Sequence, residues 1–388
     1  MINQMNMFRH FALPLVILSS SFLFISQVEG QNTGLDEKSK SHLHDLFAQE
    51  FKSNEPGGAV LILKGDQVVF SGNYGLADVG TKEAIDQNTV FNTGSISKTF
   101  VANGILILQE RGLLSIEDSM DKYFDDFENK EISSKVKIKH LLSHSSGLPD
   151  IRRVRSNIEF FLTAKDEGNF DPIKGAEELN FDPGERFEYS NPAFNGLALI
   201  IQKVTGKRWQ QFIIDNVFTP CEMTLSKITD GPYPTEGVSH GYISSGKTFS
   251  EQDYGETPTF AASGNGGVWS TVLELAKYES CIQNSVFLQS ESVKSSRSIY
   301  NPEEWASDQD PHLGWGWFLG EKSLFGEESN LGVDIVYHTG SQGGFRAYMI
   351  SIPEKNILSL GLFNRPVNSY REFMSEPLKI LATHDWLD

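Results

Sequence analysis

Cysteine is scarce in this sequence: Cys221 and Cys281 are the only two in 388 residues. A chain of this size folds on its hydrophobic core without staples, so two buried free thiols are expected, although export would permit a disulfide between them. Basic residues are also short, with 33 Lys and Arg against 51 Asp and Glu, a net charge of −18. No basic stripe offsets that field, which excludes nucleic acid and anionic membranes as partners. Internal repeats and low-complexity segments are absent, and 39% hydrophobic with 22% charged residues is a globular composition.

Long apolar runs are missing except near the amino terminus, where Phe11 to Ile25 carries no charge. Arg9 and His10 precede the run and Val28-Glu29-Gly30 follows it, the pattern of a secretory signal peptide over residues 1–30 with a mature start near Gln31. The run falls short of the ~20 residues a membrane span needs, so an amino-terminal anchor is the second choice. Cleavage removes Arg9 and Glu29, which leaves the net charge unchanged. The expected location is therefore the periplasm or the exterior.

Chemistry is expected at Phe91-Asn92-Thr93-Gly94-Ser95-Ile96-Ser97-Lys98-Thr99-Phe100. A Ser and a Lys three apart share a helix face, and a serine hydroxyl becomes a nucleophile when a base of lowered pKa is within reach. Ser119/Lys122, Ser134/Lys137 and Ser244/Lys247 have the same spacing. Only Ser95 follows a Gly and precedes an apolar run, Phe100 to Leu108, able to form a buried helix. That puts Ser95 at a helix start, where free N–H groups favour developing negative charge.

Leu35 to Phe51 has helical spacing, and Gly58–Leu63 and Gln67–Tyr74 read as strands about a Lys64-Gly65-Asp66 turn. Segment 75–90 reads as loop, and helices and loops dominate from about 104 to 270. Among them are a short helix over 136–143 that stops at Ser146-Gly147-Leu148-Pro149, and a longer one from Asn195 closed by Gly206. After about 272 the pattern returns to strands, at 334–338, 345–352 and 357–363, before a helix over 369–386. The expected class is α/β of the α+β type: an antiparallel sheet built from both chain ends and flanked by helices, with a mostly helical insert. Residues 31–92 plus 272–388 would form the sheet domain and 93–271 the helical one, with a site in the cleft between them.

Two further stretches carry chemistry. Tyr189 and Asn191, two apart after the Pro183-Gly184 turn, would face the same way in an extended backbone, a proton-carrying phenol beside a carboxamide able to hold a substrate amide. Tyr337-His338-Thr339-Gly340-Ser341-Gln342-Gly343-Gly344-Phe345 ends a strand with glycines that admit close approach. Metal ligation is not expected: His42/His44 and His140/His144 lack the acidic partners of a zinc site. No cofactor is expected either.

Ser95-Ile96-Ser97-Lys98, Tyr189-Ser190-Asn191 and His338-Thr339-Gly340, in this order, resemble the motifs of penicillin-recognising serine hydrolases related to class C β-lactamases and D-alanyl-D-alanine carboxypeptidases. Leu141 to Pro149, Ser263 to Thr271 and Gly314-Trp315-Gly316-Trp317 extend the resemblance across the chain past residue 30. It implies that Ser95 becomes acylated, that Lys98 and Tyr189 share the base role, and that the N–H groups of Ser95 and Ser341 form the oxyanion hole. Asn191, His338, Thr339 and Gly340 would bind substrate. The substrate implied is a small peptide, including cell-wall peptide, an ester or a β-lactam. A D-Ala-type peptidase or an esterase/amidase ranks ahead of a class C-type β-lactamase, because His338 stands where those enzymes carry Lys, a permanent cation. A penicillin sensor that is acylated without turnover is the non-enzymatic alternative. Segments 151–180 and 225–260 would shape the pocket.

Overall fold

The computed structural model describes residues 35–152, 165–228, 237–245, 248–251, 263–300, 312–325, 331–368, 370–384 and 386–387. The expected signal peptide lies outside them, as do parts of both pocket-shaping segments.

An amphipathic helix, α1 (Glu37–Glu50), opens the described chain, capped by Asp36, whose carboxylate accepts the Ser39 N–H at 2.7 Å. Strands β1 (Gly58–Lys64) and β2 (Gln67–Tyr74) follow as a hairpin, with Gly65 at φ +57° in the turn. Helix α2 (Ser97–Glu110) is buried from Ser97 to Leu108, because a helix that is apolar on most sides must be covered on most sides. Helix α3 (Asn191–Thr205) has Ser190 as its N-cap, Pro192 in its first turn and Gly206 at φ +68° as its left-handed stop. Helix α4 (Val272–Gln283) is capped by Thr271, and strands β3 (Val336–Gln342), β4 (Phe345–Ile352) and β5 (Ile357–Phe363) precede α5 (Tyr370–Ala382).

The main sheet has seven antiparallel strands in the order 312–313, 318–319, β3, β4, β5, β1, β2. It is assembled from both ends of the described chain, as expected. Alternation along each strand feeds two cores. Ala59, Leu61 and Leu63 of β1 pack with Leu358, Leu360 and Leu362 of β5 and with α2, α3 and α4. Val60 and Ile62 pack on the opposite face with Phe47 of α1 and with Phe373 and Leu378 of α5.

Four local expectations differ from the structure. Segment 75–90 contains a small strand pair, 76–78 with 83–84. The chain after 272 is helical before it is extended, in α4 and again over Ser290–Ser296. Asn191 is not in extended backbone beside Tyr189 but is the first residue of α3, because Ser190 takes the cap position and accepts the Ala193 N–H. Cys221 and Cys281 are not free thiols: the packing of α4 on the segment after Trp209–Ile213 brings their Cα atoms to 6.0 Å, and a disulfide joins them.

Candidate active site

The segment before Ser95 is clamped from the side. Asn92 accepts the Gly94 N–H at 2.8 Å and donates to the Gly266 carbonyl at 3.1 Å, while Thr93 donates from both N–H and hydroxyl to the Val268 carbonyl. Gly94 sits at φ +53°, and a Cβ there would meet the Ser341 nitrogen at 2.7 Å. Only glycine allows that backbone and that approach together. Ser95 then lies in a short 3-10 turn, Gly94–Ile96, that runs directly into α2. The helix-start expectation holds, with the tighter turn in place of a plain first turn.

One turn on, Lys98 is fully buried with its Nζ 3.0 Å from Ser95 Oγ and 2.8 Å from the Asn265 carbonyl. The rings of Tyr189 and Phe194 lie 5.1 and 5.9 Å from the same nitrogen. Desolvation, reinforced by the Arg152 cation, holds the amine well below its usual pKa of 10.5. A neutral amine keeps a lone pair, so Nζ can donate to the Asn265 carbonyl and still receive a proton from Ser95. No carboxylate is bound to it among the described residues.

Tyr189 stands on the other side of the site, and desolvation pushes its phenol up to about 12 although the nearby Ser95 hydroxyl pulls it down. The residue as a whole remains 38% exposed, so it borders the opening of the site. The imidazole of His144 stacks on the ring, centroids 4.3 Å apart. Phe318 stacks at 6.4 Å.

The third side is the edge of β3. Within β3, strand 318–319 pairs with Val336 and Tyr337 alone, so His338 to Ser341 have no strand paired to that edge among the described residues. On the other side, the two-residue turn Gly343-Gly344 is closed by the pair Gln342/Phe345. Pairing alternates from there, so Ser341 and Thr339 turn their N–H and C=O groups away from β4, outward along the open edge. The Ser341 N–H therefore faces the Gly94-Ser95 turn. Gly340 is required for the approach, since a Cβ on it would meet the Thr93 carbonyl at 2.0 Å. The Gly94-Ser95 turn thus packs against the Ser341 nitrogen, the close approach that an oxyanion hole made of the Ser95 and Ser341 N–H groups would need.

His338 is almost wholly buried, and desolvation together with Lys98 brings its pKa down to about 3. Its Nδ1 lies 2.7 Å from the Thr339 carbonyl, which can only accept, so the proton is on Nδ1 and Nε2 is a bare acceptor without a partner. Burial thus makes His338 a neutral imidazole at the position where class C-type enzymes carry a permanent cation.

The structure therefore gathers Ser95, Lys98, Tyr189, His338 and Ser341 around one point, with Asn191 half-buried at the start of α3 and Thr339 half-buried on the strand edge. Of the rival spacings, Ser119 binds Asp121 and Lys122 binds Asp118, while Ser134 donates to the Glu131 carbonyl and Lys137 binds Glu117. Lys247 lies outside the described residues. Among the described residues no cluster of three His, Cys, Asp or Glu could hold a metal.

Three contributors escaped sequence reasoning. Asn265 offers the carbonyl that holds Lys98, and Asp166 accepts the Gly264 N–H at 2.8 Å together with Asn195 and Trp209, which pins that loop. Burial pushes the Asp166 carboxyl up to about 7 although those three donors pull it down. His144, set aside as a metal ligand, touches Tyr189 instead. A local signal existed for His144, in the Leu141 to Pro149 stretch, and for Asn265, in the Ser263 to Thr271 stretch, but none for Asp166.

Residues 43–381 match the model of the Beta-lactamase family. The chain belongs to that family. It is 27% identical over 329 residues to "Penicillin-binding protein 4*" of Bacillus subtilis (strain 168), covering 81% of this chain and 70% of the relative. With "Protein flp" of Staphylococcus aureus (strain MW2) it shares 28% over 327 residues, but spans only 59% of that relative's length. The octameric penicillin-binding protein homologue from Pyrococcus abyssi superposes with a TM-score of 0.70 at 26% identity, over 88% of this chain and 77% of that one. The D-amino acid amidase from Ochrobactrum anthropi SV3, at 19% identity over 89% and 97% with a TM-score of 0.71, shares the fold.

Proposed function

We propose that this chain is an exported serine hydrolase that works through a Ser95 acyl-enzyme on the carbonyl of a peptide amide or an ester. The observation that carries the reading is the buried Lys98 amine, held below its usual pKa 3.0 Å from Ser95 Oγ. Lys98 takes the Ser95 proton as Oγ bonds to the carbonyl carbon, and the oxyanion rests on the N–H groups of Ser95 and Ser341. As the intermediate collapses, the C–N or C–O bond breaks and the leaving group takes a proton through Tyr189. A phenol raised to about 12 is protonated at neutral pH, so it relays a proton between Lys98 and the leaving group and does not itself start the reaction as base. Water, deprotonated by the same pair, then frees Ser95.

The substrate follows from His338. A neutral imidazole offers no charge to a carboxylate, which favours amides of amino acids, peptide bonds away from a free carboxyl terminus, and esters over carboxypeptidase or β-lactam substrates. The name D-amino acid amidase, carried by a protein of the same fold, agrees with that class. Export is supported by the amino-terminal pattern of residues 1–30 and by the Cys221–Cys281 disulfide, which an oxidising compartment would maintain.

Intact-protein mass spectrometry tests the reading. With p-nitrophenyl esters, D-amino acid amides and a penicillin, the wild type should form an acyl adduct that Ser95→Ala does not, with ester and amide turned over and the penicillin slow. An adduct on Ser95→Ala, or no turnover of either ester or amide, overturns it.

A further inference from the structure

We infer that His144 is a positioning residue for Tyr189, holding three consecutive residues so that the phenol hydroxyl meets Ser95. The inference rests on the reading of Ser95 as nucleophile. His144 grips the chain on both sides of Tyr189. Its carbonyl accepts the Glu188 N–H at 2.8 Å, and its Nδ1 accepts the Ser190 N–H at 3.0 Å. Between these two bonds its ring lies on the Tyr189 ring, planes 28° apart.

The arrangement demands one tautomer. A backbone N–H can only donate, so Nδ1 must be bare and the proton must sit on Nε2. Burial, with Lys98 and His338 nearby, favours the neutral ring that this requires. Nε2 is buried without a partner, and the backbone stands at φ +52°. A ring present only for packing would need neither feature, and both are tolerated where surrounding structure enforces them for a purpose. The loop is held in turn: the Ser145 carbonyl accepts the Gly184 N–H and the Gly147 carbonyl accepts the Asn180 N–H, each at 2.8 Å. The stretch after helix 138–142 and the stretch before α3 thus form one unit, with His144 as its contact to the nucleophile's partner.

The test uses the full chain and a fluorophosphonate probe, which labels an activated serine whatever the natural substrate. Labelling rates are read by intact mass and melting temperatures recorded alongside. His144→Phe keeps a ring but loses the acceptor, and should slow labelling of Ser95 by roughly 10- to 100-fold, part of the ~10²–10⁴ a positioned proton carrier supplies. His144→Asn, whose Oδ1 can take the Ser190 N–H, should recover most of the rate, while His144→Gln should not. In a Tyr189→Phe background, His144→Phe should add no more than about 2-fold, because the hydroxyl it positions is gone. An undiminished rate in His144→Phe, equal losses with and without the Tyr189 hydroxyl, or Asn no better than Gln would overturn the inference. Should His144→Phe not fold, the Asn and Gln pair decides alone. Failure of the wild type to label at Ser95 would overturn the functional reading and this inference with it, whereas labelled wild type with an unimpaired His144→Phe overturns this inference only.

Discussion

Two buried basic side chains meet opposite fates in this molecule. Arg297, beneath α4, is bound through both terminal nitrogens to the Glu279 carboxylate at 2.8 and 2.6 Å and lies over the Trp317 ring. Desolvation works to raise the Glu279 carboxyl, but the Arg297 charge and the hydrogen bonds from Arg297, Ser351 and Gln283 outweigh it and hold it below its ordinary value. Lys98 is buried at least as deeply and has a hydroxyl, a carbonyl and aromatic faces around it instead of a carboxylate. A buried base that is paired remains a cation and serves the fold. A buried base left without an anion gives up its proton and becomes a reagent.

Exchanging those circumstances should show it. Lys98→Met is expected to remove activity by about 10³-fold or more, as loss of an activating base does. The same change should raise stability at neutral pH. Between its lowered folded pKa and 10.5 the unfolded chain binds a proton that the folded chain does not, so Lys98 opposes folding there, and the opposition fades as pH rises to 10.5. Melting curves across pH should find the Lys98→Met advantage at pH 7 and not near pH 11. A variant less stable than wild type at pH 7 would contradict the comparison.

Glu279→Gln is the mirror experiment. It strands the Arg297 charge and should cost about 3–5 kcal/mol in denaturant unfolding, with the kcat of the folded fraction little changed. A drop in kcat without a loss of stability would blur the distinction between the two sites. Asp166 lies between these extremes. Its carboxyl, raised to about 7, binds more protons folded than unfolded from about pH 3.8 upward, so its contribution to stability is lost as pH climbs to about 7. Asp166→Asn should flatten the fall in melting temperature over that window, and an unaltered slope would remove Asp166 from the account. The smallest effect is expected of Ser119→Ala and Ser134→Ala. Their serines share the spacing of Ser95 but not a buried amine, and ester hydrolysis should be unchanged within about 2-fold.

These contrasts also mark what could be read before the fold was in hand. Segments 345–352 and 357–363 are apolar enough to be read as strands, and the three motifs stand in short runs whose spacing is local. Whether a lysine is buried without a carboxylate is a property of other segments, here Asn265, Tyr189 and Phe194, and no local pattern carries it. The disulfide likewise depends on α4 meeting the turn at Cys221, 60 residues away in the chain. Helix α4 was legible and passed over: Thr271 and Glu274 form the cap signal that precedes it. Ser190 is a good N-cap, and that local signal starts α3 at Asn191 and ends the extended run at Tyr189.

The contact of Gly340 with Thr93 has a consequence in time. A ribosome completes the Ser95–Lys98 turn long before the β3 edge that lies against it, so a nascent chain holds its serine without the second N–H donor. Such long-range closure is slow compared with local helix formation. The surroundings of Ser95 are therefore completed last, when the carboxy-terminal strands dock against the Thr93-Gly94 turn.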